Sequence, residues 1–173
     1  MEELKALLLK HGINLSDFGK GKAKTLEHLL TEVQDGEAQL IERDGELIRH
    51  LEVLNIDVIS EVGGIRWLVE DRQEFADGRR RKRDLPASVS EKLHAGEEPL
   101  NAVTRALKEE LGISKFKISS PFSRKVESLE SPSFPGLMSE YVLHKVDVLI
   151  DPTEHKPTYE ERQADKTTFF VWR

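Results

Sequence analysis

The sequence contains no cysteine, and this absence excludes several kinds of chemistry. A disulfide framework, a thiolate metal site and a cysteine nucleophile are all ruled out. No apolar run approaches the roughly 18 residues that a membrane-spanning helix requires. The histidines are scattered without metal-site spacing, and the sequence has neither a G-x-S-x-G nucleophile motif nor a P-loop. These common routes to catalysis and metal binding are therefore closed.

The composition is that of a polar globular protein. Of 173 residues, 38% are apolar and 34% are charged, which is enough for one domain with a real core. The net charge of −6 argues against nucleic-acid binding through overall charge. The first residues, MEELKALLLKHGI, carry early glutamates and predict an amphipathic helix instead of a secretion signal. We therefore expect a cytoplasmic protein without a membrane anchor.

Two short helices are predicted before residue 37. Leu4, Leu7 and Leu8 form the apolar stripe of the first helix. Thr25 is a plausible N-cap for the second helix, which Asp35-Gly36 would end. We interpret residues 1–36 as a small helical extension and residues 37–173 as the main domain.

From residue 38 onward the hydrophobic period changes to that of strands. Asp44-Gly45 is a strong hairpin signal between the first two strands. Candidate strands are 38–42, 46–60, 65–75, 86–93, 116–119, 124–129, 140–150 and 168–172. The best helix is Pro99–Leu111, with Pro99 in its first turn, Gly112 after its end, and a predicted buried stripe of Leu100, Val103, Leu107 and Leu111. The order of strands, helix and strands predicts an α+β sandwich.

The predicted helix carries a cluster of charged side chains. Arg105, Glu109 and Glu110 fall on one side of it, and Ala106 is their neighbour at helical spacing. Carboxylates in this pattern can hold a hard divalent cation such as Mg²⁺ against a phosphate chain. A plain solvated surface without any metal is the alternative interpretation.

Residues 91–113 resemble the signature of the Nudix hydrolases, G-x5-E-x7-R-E-U-x-E-E-x-G-U, where U is apolar. The matching positions are Glu97, Arg105, Leu107, Glu109, Glu110, Gly112 and Ile113. Two positions depart from the signature: Glu91 stands where the opening glycine is expected, and Ala106 replaces the glutamate after the arginine. The resemblance implies a Nudix-type α/β/α sandwich with a mixed sheet, preceded by the helical extension.

The resemblance also implies roles for individual residues. Glu97, Glu109 and Glu110 would hold Mg²⁺ or Mn²⁺, which clamps a diphosphate and activates water. Arg105 would orient Glu97 or Glu109 through an ion pair. The methyl group of Ala106 can neither ligate a metal nor act as a base, and Glu91 could partly compensate for the loss.

A second stretch supplies a candidate general base. Residues 133–140, SFPGLMSE, are similar to the S-P-G-x-x-x-E stretch of Nudix hydrolases that act on ADP-ribose or nucleotide sugars. Glu140 is therefore the best candidate for the base, with Glu127 and Glu130 as weaker ones. Pro-Gly is also a routine turn signal.

Substrate contacts are expected from basic and aromatic residues. Arg83 and Lys92 could reach a phosphate, although the basic run 79–83 is more typical of a solvated hairpin tip. Trp67, Phe75 and Tyr141 could stack on a nucleobase, but their alternating strand positions favour core packing.

The sequence thus predicts a metal-dependent hydrolase that cleaves the diphosphate linkage of a nucleoside diphosphate derivative such as ADP-ribose or a nucleotide sugar. The alternative is a catalytically impaired Nudix-fold module that binds a ligand or regulates a partner. The expected partner is a small nucleotide, with neither membrane nor nucleic acid. The family usually continues into a second long helix after the last strand. Its absence after residues 168–172 predicts that the N-terminal helices, or a second copy in a homodimer, cover an apolar face.

Overall fold

A computed structural model describes residues 1–173 and shows a mixed α+β protein with few helices. The helices are α1 (Glu2–Lys10), α2 (Leu26–Gln34) and α3 (Pro99–Ala106), with short 3₁₀ turns at Leu15–Asp17 and Pro152–Glu154. The strands are β1 (Gln39–Arg43), β2 (Glu46–Ser60), β3 (Arg66–Phe75), β4 (Arg80–Arg81), β5 (Val89–Lys92), β6 (Phe116–Ile118), β7 (Ser123–Glu130), β8 (Met138–Ile150), β9 (Thr158–Arg162) and β10 (Lys166–Trp172). The α+β class is confirmed, and the layered sandwich stays a prediction. No helix combines the length and the apolar character needed to cross a bilayer.

The residues group into two compact units, each made of several chain segments. Unit 1 consists of residues 1–53, 92–97 and 125–143, and unit 2 of residues 54–91, 98–124 and 144–173. The predicted boundary after residue 36 is not one of the places where these units divide, and it stays a prediction.

Unit 1 is built around an apolar cluster to which both N-terminal helices contribute. Leu8 and Leu29 are completely buried there together with Phe134 and Leu137. Thr25 accepts a hydrogen bond from the backbone N–H of His28 and caps α2, as its sequence predicts. Burial of this stripe stabilises α1 and α2, which at nine residues each are too short to be stable alone.

The hairpin of β1 and β2 forms at the predicted turn. Asp44 and Gly45 have φ values of 53° and 81°, so both central residues occupy the left-handed region. This is the geometry of a type I′ turn, in which glycine avoids a steric cost. Arg43 pairs with Glu46 across it, which fixes the register of the whole hairpin.

Unit 2 contains the sheet that positions the candidate site. The strand order is β6–β8–β2–β3–β10–β9, where β2 and β8 contribute their residues in this unit. β10 lies antiparallel between β3 and β9 and carries a register shift between Phe169 and Phe170. The sequence did not predict β9, whose Glu160, Glu161 and Arg162 interrupt any apolar alternation.

The predicted helix Pro99–Leu111 is two structures joined end to end. α3 stops at Ala106, and a single π-helical turn follows over Leu107–Leu111. Gly112 ends it in the left-handed conformation, with φ 68°. Val103, Leu107 and Leu111 are buried as predicted, whereas Leu100 is 51% exposed, which corrects its place in the stripe. π-turns inside helices are rare and occur frequently at functional sites.

The basic run 79–83 follows the turn of the β3–β4 hairpin and is exposed throughout, as expected for a solvated tip, and Arg80 and Arg81 form the short strand β4. β4 pairs antiparallel with β3, so the arginines face polar side chains of that strand. The contacts are Arg79 with Asp77, Arg80 with Glu74, Arg81 with Gln73 and Arg83 with Glu70. Arg79, Arg80 and Arg83 are therefore paired with carboxylates, and Arg81 contacts the uncharged amide of Gln73.

Candidate functional site

The predicted site residues divide between the two units. Arg83, Arg105, Glu109 and Glu110 belong to unit 2, together with Glu91. The others predicted to act with them, Lys92, Glu97 and Glu140, belong to unit 1.

Arg105 joins two carboxylates in unit 2. Its Nη1 lies 3.3 Å from Oε1 of Glu91 and 3.6 Å from Oε2 of Glu109. The contact with Glu109 spans one helical turn and is one of the two that the sequence predicts. Glu91 comes from β5, so Arg105 also ties the helix to a strand. The Glu109 side chain is 64% exposed, and its ion pair therefore contributes little to stability.

Glu110 occupies a different environment from its neighbour Glu109. It is half-buried and faces Glu91 and Glu161, the latter on β9, which packs against the π-helical turn. Burial, the negative charges of Glu161 and Glu91, and a hydrogen bond with Glu91 together raise the pKa of Glu110 to about 9, and burial is the largest of these causes. Only the positive charge of Arg83 acts in the opposite direction among these main influences. We call Glu91, Glu110 and Glu161 the acidic cluster.

Arg83 is fixed beside the acidic cluster by a buried carboxylate. Its Nε donates to Oε1 of Glu70 at 2.9 Å, and Nη2 donates to the second oxygen. The Glu70 side chain is only 2% exposed, and this paired geometry raises the pKa of Arg83. The guanidinium is held by two of its five donors, so the remaining donors can serve a ligand.

Ala106 is completely buried instead of lying on the helix surface beside Glu109 and Glu110. The α-helix ends at this residue, and the wider turn that follows changes the direction of the side chains after it. This corrects the expectation that Ala106 is their surface neighbour. A glutamate at position 106 would have to enter the core of unit 2.

Glu97 and Lys92 have structural contacts in unit 1. Oε2 of Glu97 accepts a hydrogen bond from the backbone N–H of His94 at 3.0 Å, so this carboxylate stabilises the turn between residues 94 and 97. Nζ of Lys92 lies 3.0 Å from Glu32 and 2.9 Å from Glu37. The metal and phosphate roles predicted for these two residues remain predictions.

Glu140 is held as a carboxylate by two basic side chains. Arg43 donates to it at 2.8 Å, and Nδ1 of His50 lies 2.9 Å from its other oxygen. These hydrogen bonds lower the pKa of Glu140 to about 2. Such an acidic carboxylic acid is a weak general base at neutral pH. The weaker candidate Glu130 accepts the backbone N–H of Gly136 and so stabilises the Pro135-Gly136 turn.

The donor set suits Mg²⁺ or Mn²⁺ in its chemistry. No group of three or more histidine, aspartate or glutamate side chains is arranged to hold a metal ion. Mg²⁺, however, is usually bound by one or two carboxylates, with waters and substrate phosphates completing its shell. Glu110 and Glu91 share a hydrogen bond and are two such carboxylates, and a cation would offset the repulsion that raises the pKa of Glu110. The pair therefore fits a hard divalent cation.

Two residues of this arrangement were missed by sequence reasoning. Glu161 lies on the unpredicted strand β9, and Glu70 lies inside β3 between partly buried neighbours. Neither carries a motif, and both reach the site only because β3, β10 and β9 are adjacent in the sheet. A buried-strand glutamate such as Glu70 is a signal that could have been used, since unpaired charges are rarely buried.

Comparison with known proteins gives a limited result. No family model matches the sequence, and no curated protein matches it. Among solved structures, the crystal structure of the C. elegans Ap4A hydrolase aligns over 70% of this chain and 78% of that chain. The identity is 16% and the TM-score is 0.37. A likeness this weak supports neither a family assignment nor a function.

Proposed function

We propose that this chain is a divalent-metal-dependent hydrolase of the Nudix type that cleaves the diphosphate linkage of a nucleoside diphosphate derivative. The observation that carries the proposal is the environment of Glu110. Its carboxyl group is half-buried against Glu91 and Glu161, and its pKa is raised to about 9. Carboxyl groups with strongly raised pKa values concentrate at functional sites. The spacing of Arg105, Glu109 and Glu110 in the sequence supports the same interpretation.

The residues have distinct roles in this proposal. Glu110 and Glu91 would hold Mg²⁺ or Mn²⁺, and the exposed Glu109 shares Arg105 with Glu91. The metal role of Glu97, which belongs to unit 1, stays a prediction from the family resemblance. The bound cation would supply charge neutralisation for the diphosphate and an activated water. Arg105 keeps Glu91 and Glu109 in place through its two ion pairs.

Arg83 and the general base complete the assignment. Arg83 would donate to a phosphate oxygen while Glu70 holds its guanidinium. The phosphate contact expected of Lys92, which belongs to unit 1, stays a prediction from the sequence. Glu161 is the better candidate for accepting a proton from water, since it belongs to the acidic cluster. Glu140, predicted from sequence, is already held by Arg43 and His50.

The proposal is tested at Glu110. We expect Mn²⁺, followed by its paramagnetic resonance signal, to bind the full-length protein and to bind Glu110→Gln at least about tenfold more weakly. Hydrolysis of ADP-ribose, nucleotide sugars and dinucleoside polyphosphates with Mg²⁺ is measured on the same samples, and Glu110→Gln should abolish it. Glu2→Gln is the matched control, because Glu2 is an exposed glutamate paired with Lys5 in α1. Equal Mn²⁺ affinity in wild type and Glu110→Gln would refute the assignment.

The alternative, a ligand-binding module without catalysis, is favoured by one observation. Ala106 is fully buried, so no carboxylate can take the place of the missing glutamate from that position. A module would bind Mn²⁺ and nucleotide but show no turnover on the whole panel. Introducing Ala106→Glu is a poor test of this point, because the added carboxylate would be buried and destabilise unit 2.

A further inference from the structure

Trp67 is exposed in a way that core packing does not explain. It lies at the start of β3 and is 47% exposed, whereas the next residue, Leu68, is completely buried. Trp67 pairs with Ile59 of β2, so both side chains lie on the same, partly exposed face of the sheet. The sequence-based expectation that Trp67 packs in the core is therefore wrong. A half-exposed indole is a surface on which a flat ring can stack.

Strands β2 and β3 stop pairing beside Trp67. Their paired residues are Ile59–Trp67 and Ser60–Arg66. Beyond these pairs Ser88 stands between the strands, where its hydroxyl accepts from the backbone N–H of Val58 and donates to the carbonyl of Leu68. The segment before Ser88 lines one side of a cavity of about 280 Å³, and Trp67, Asp57 and Glu70 line the other parts. We call this the Trp67 cavity.

Arg83 connects the Trp67 cavity with the acidic cluster. Its side chain lines the cavity, pairs with the buried Glu70, and acts electrostatically on Glu110. Trp67 and Arg83 therefore both lie on the wall of one cavity. An aromatic stacking surface next to a fixed guanidinium is a combination that suits a nucleotide.

We propose that the Trp67 cavity holds the nucleobase of the nucleotide whose diphosphate lies at Arg83 and the acidic cluster. Trp67 supplies the stacking face, and the carboxylate of Asp84 on the cavity wall can accept hydrogen bonds from ring N–H or amino groups. Asp57 also lies on the wall, where its Oδ2 is 3.0 Å from Nζ of Lys145. This inference rests on the proposed function for the position of the diphosphate. It adds that the nucleobase is the part of the ligand that is selected, and that Trp67 is the residue that selects it.

The test compares a ligand that has a base with one that lacks it. Affinities of the full-length protein for ADP and for inorganic pyrophosphate, both with Mg²⁺, are measured by calorimetry. We expect Trp67→Leu to weaken ADP binding by about tenfold, a size typical of the loss of one base stack. Pyrophosphate affinity should be unchanged, and Trp67→Phe should keep ADP affinity within about threefold of wild type because it retains an aromatic face.

Two further measurements make the result specific. Ile65→Ala is the matched control, because Ile65 is 64% exposed close to Trp67 in sequence and does not line the cavity. In a Trp172→Phe background Trp67 is the remaining tryptophan, and its fluorescence should change with ADP but not with pyrophosphate. An equal loss for both ligands in Trp67→Leu, or no loss for either, would overturn the proposal. A change in sedimentation in both Trp67→Leu and Ile65→Ala, with ADP affinity kept, would identify a protein interface instead and also overturn it.

Failure of this inference can be told apart from failure of the proposed function. If Glu110→Gln abolishes hydrolysis while Trp67→Leu leaves ADP affinity intact, the enzyme assignment stands and the base site is wrong. If no hydrolysis occurs but Trp67→Leu selectively weakens ADP binding, the base site stands and the protein is a nucleotide-binding module.

Discussion

At the residue scale, environment separates carboxylates that the sequence makes look equivalent. Glu109 and Glu110 are adjacent and both match the same motif, yet one is 64% exposed and the other has a pKa raised to about 9. Glu140 shows the opposite effect, because Arg43 and His50 lower its pKa to about 2. The sequence predicts which residues are acidic, but neighbours from distant segments decide which of them stay ionised.

Glu32 is the residue on which the stability of unit 1 depends most directly. It is buried on α2 and accepts hydrogen bonds from Lys24, Arg49 and Lys92, and the Arg49 side chain is only 3% exposed. Burial alone would raise the pKa of Glu32, but these hydrogen bonds outweigh burial and lower it to about 2. We predict that Glu32→Gln lowers the free energy of unfolding at pH 7 by about 3–5 kcal/mol, because it leaves Arg49 buried without its counter-charge.

The pH dependence of that difference has a definite sign. The pKa of Glu32 is lower in the folded state than its ordinary value of 4.5. Its stabilisation is therefore complete above about pH 4.5 and is lost as the pH falls towards 2. Urea unfolding at several pH values should show wild type and Glu32→Gln converging on acidification. Glu27→Gln, on the exposed face of the same helix, should leave the free energy of unfolding nearly unchanged. A pH-independent difference would contradict this account.

At the scale of elements, the turn after α3 is the least predictable feature and the one closest to the site. The apolar spacing of Val103, Leu107 and Leu111 predicts a continuous α-helix, and those three side chains are buried. The helix nevertheless widens after Ala106, and the carbonyl of Leu107 accepts the N–H of Ile113 at its end. Hydrophobic periodicity is too coarse to detect one extra residue in one turn.

Glycine is expected to be favoured at position 112 because the backbone there is in the left-handed conformation. A larger side chain would not clash with neighbouring atoms. The φ of Gly112 is 68°, and nothing lies within 4 Å of the place where a Cβ would stand. Gly112→Ala should therefore cost about 1 kcal/mol through the left-handed conformation alone, measured by urea unfolding. Gly112→Asn should cost less, since asparagine tolerates this region better. Equal costs for the two variants would show that another effect dominates.

At the scale of the whole molecule, the net charge and the ion pairs of the basic run bear on binding to nucleic acid. The net charge is −6, and four arginines of the run 79–83 contact side chains of β3 or of their own turn. Arg79, Arg80 and Arg83 are therefore each already paired with a carboxylate, and the net negative charge opposes binding to a phosphate backbone. We predict no binding of single- or double-stranded oligonucleotides at about 0.15 M salt, with Kd weaker than about 10⁻⁴ M by fluorescence anisotropy. Binding at micromolar protein that weakens steeply with salt would contradict this prediction.

The homodimer predicted from sequence stays a prediction at this scale. Its basis was the expectation that an apolar face of the sheet needs a cover. In unit 1, α1 and α2 bury their own apolar stripes against Phe134 and Leu137. Sedimentation of the purified chain would measure the oligomeric state directly.

The sequence by itself determined those features that depend on near neighbours. Strand β2, the Asp44-Gly45 turn and the Thr25 cap all follow from spacing and local conformational preference, and the Arg105–Glu109 pair follows from helical geometry. Only the tertiary structure decided that Glu91, Glu110 and Glu161 meet, that Ala106 faces the core, and that Trp67 borders an open cavity. These facts depend on which strands are neighbours in the sheet and on one widened helical turn. Local sequence periodicity predicts neither the strand order nor the widened turn, because both arise from packing between segments far apart in the chain.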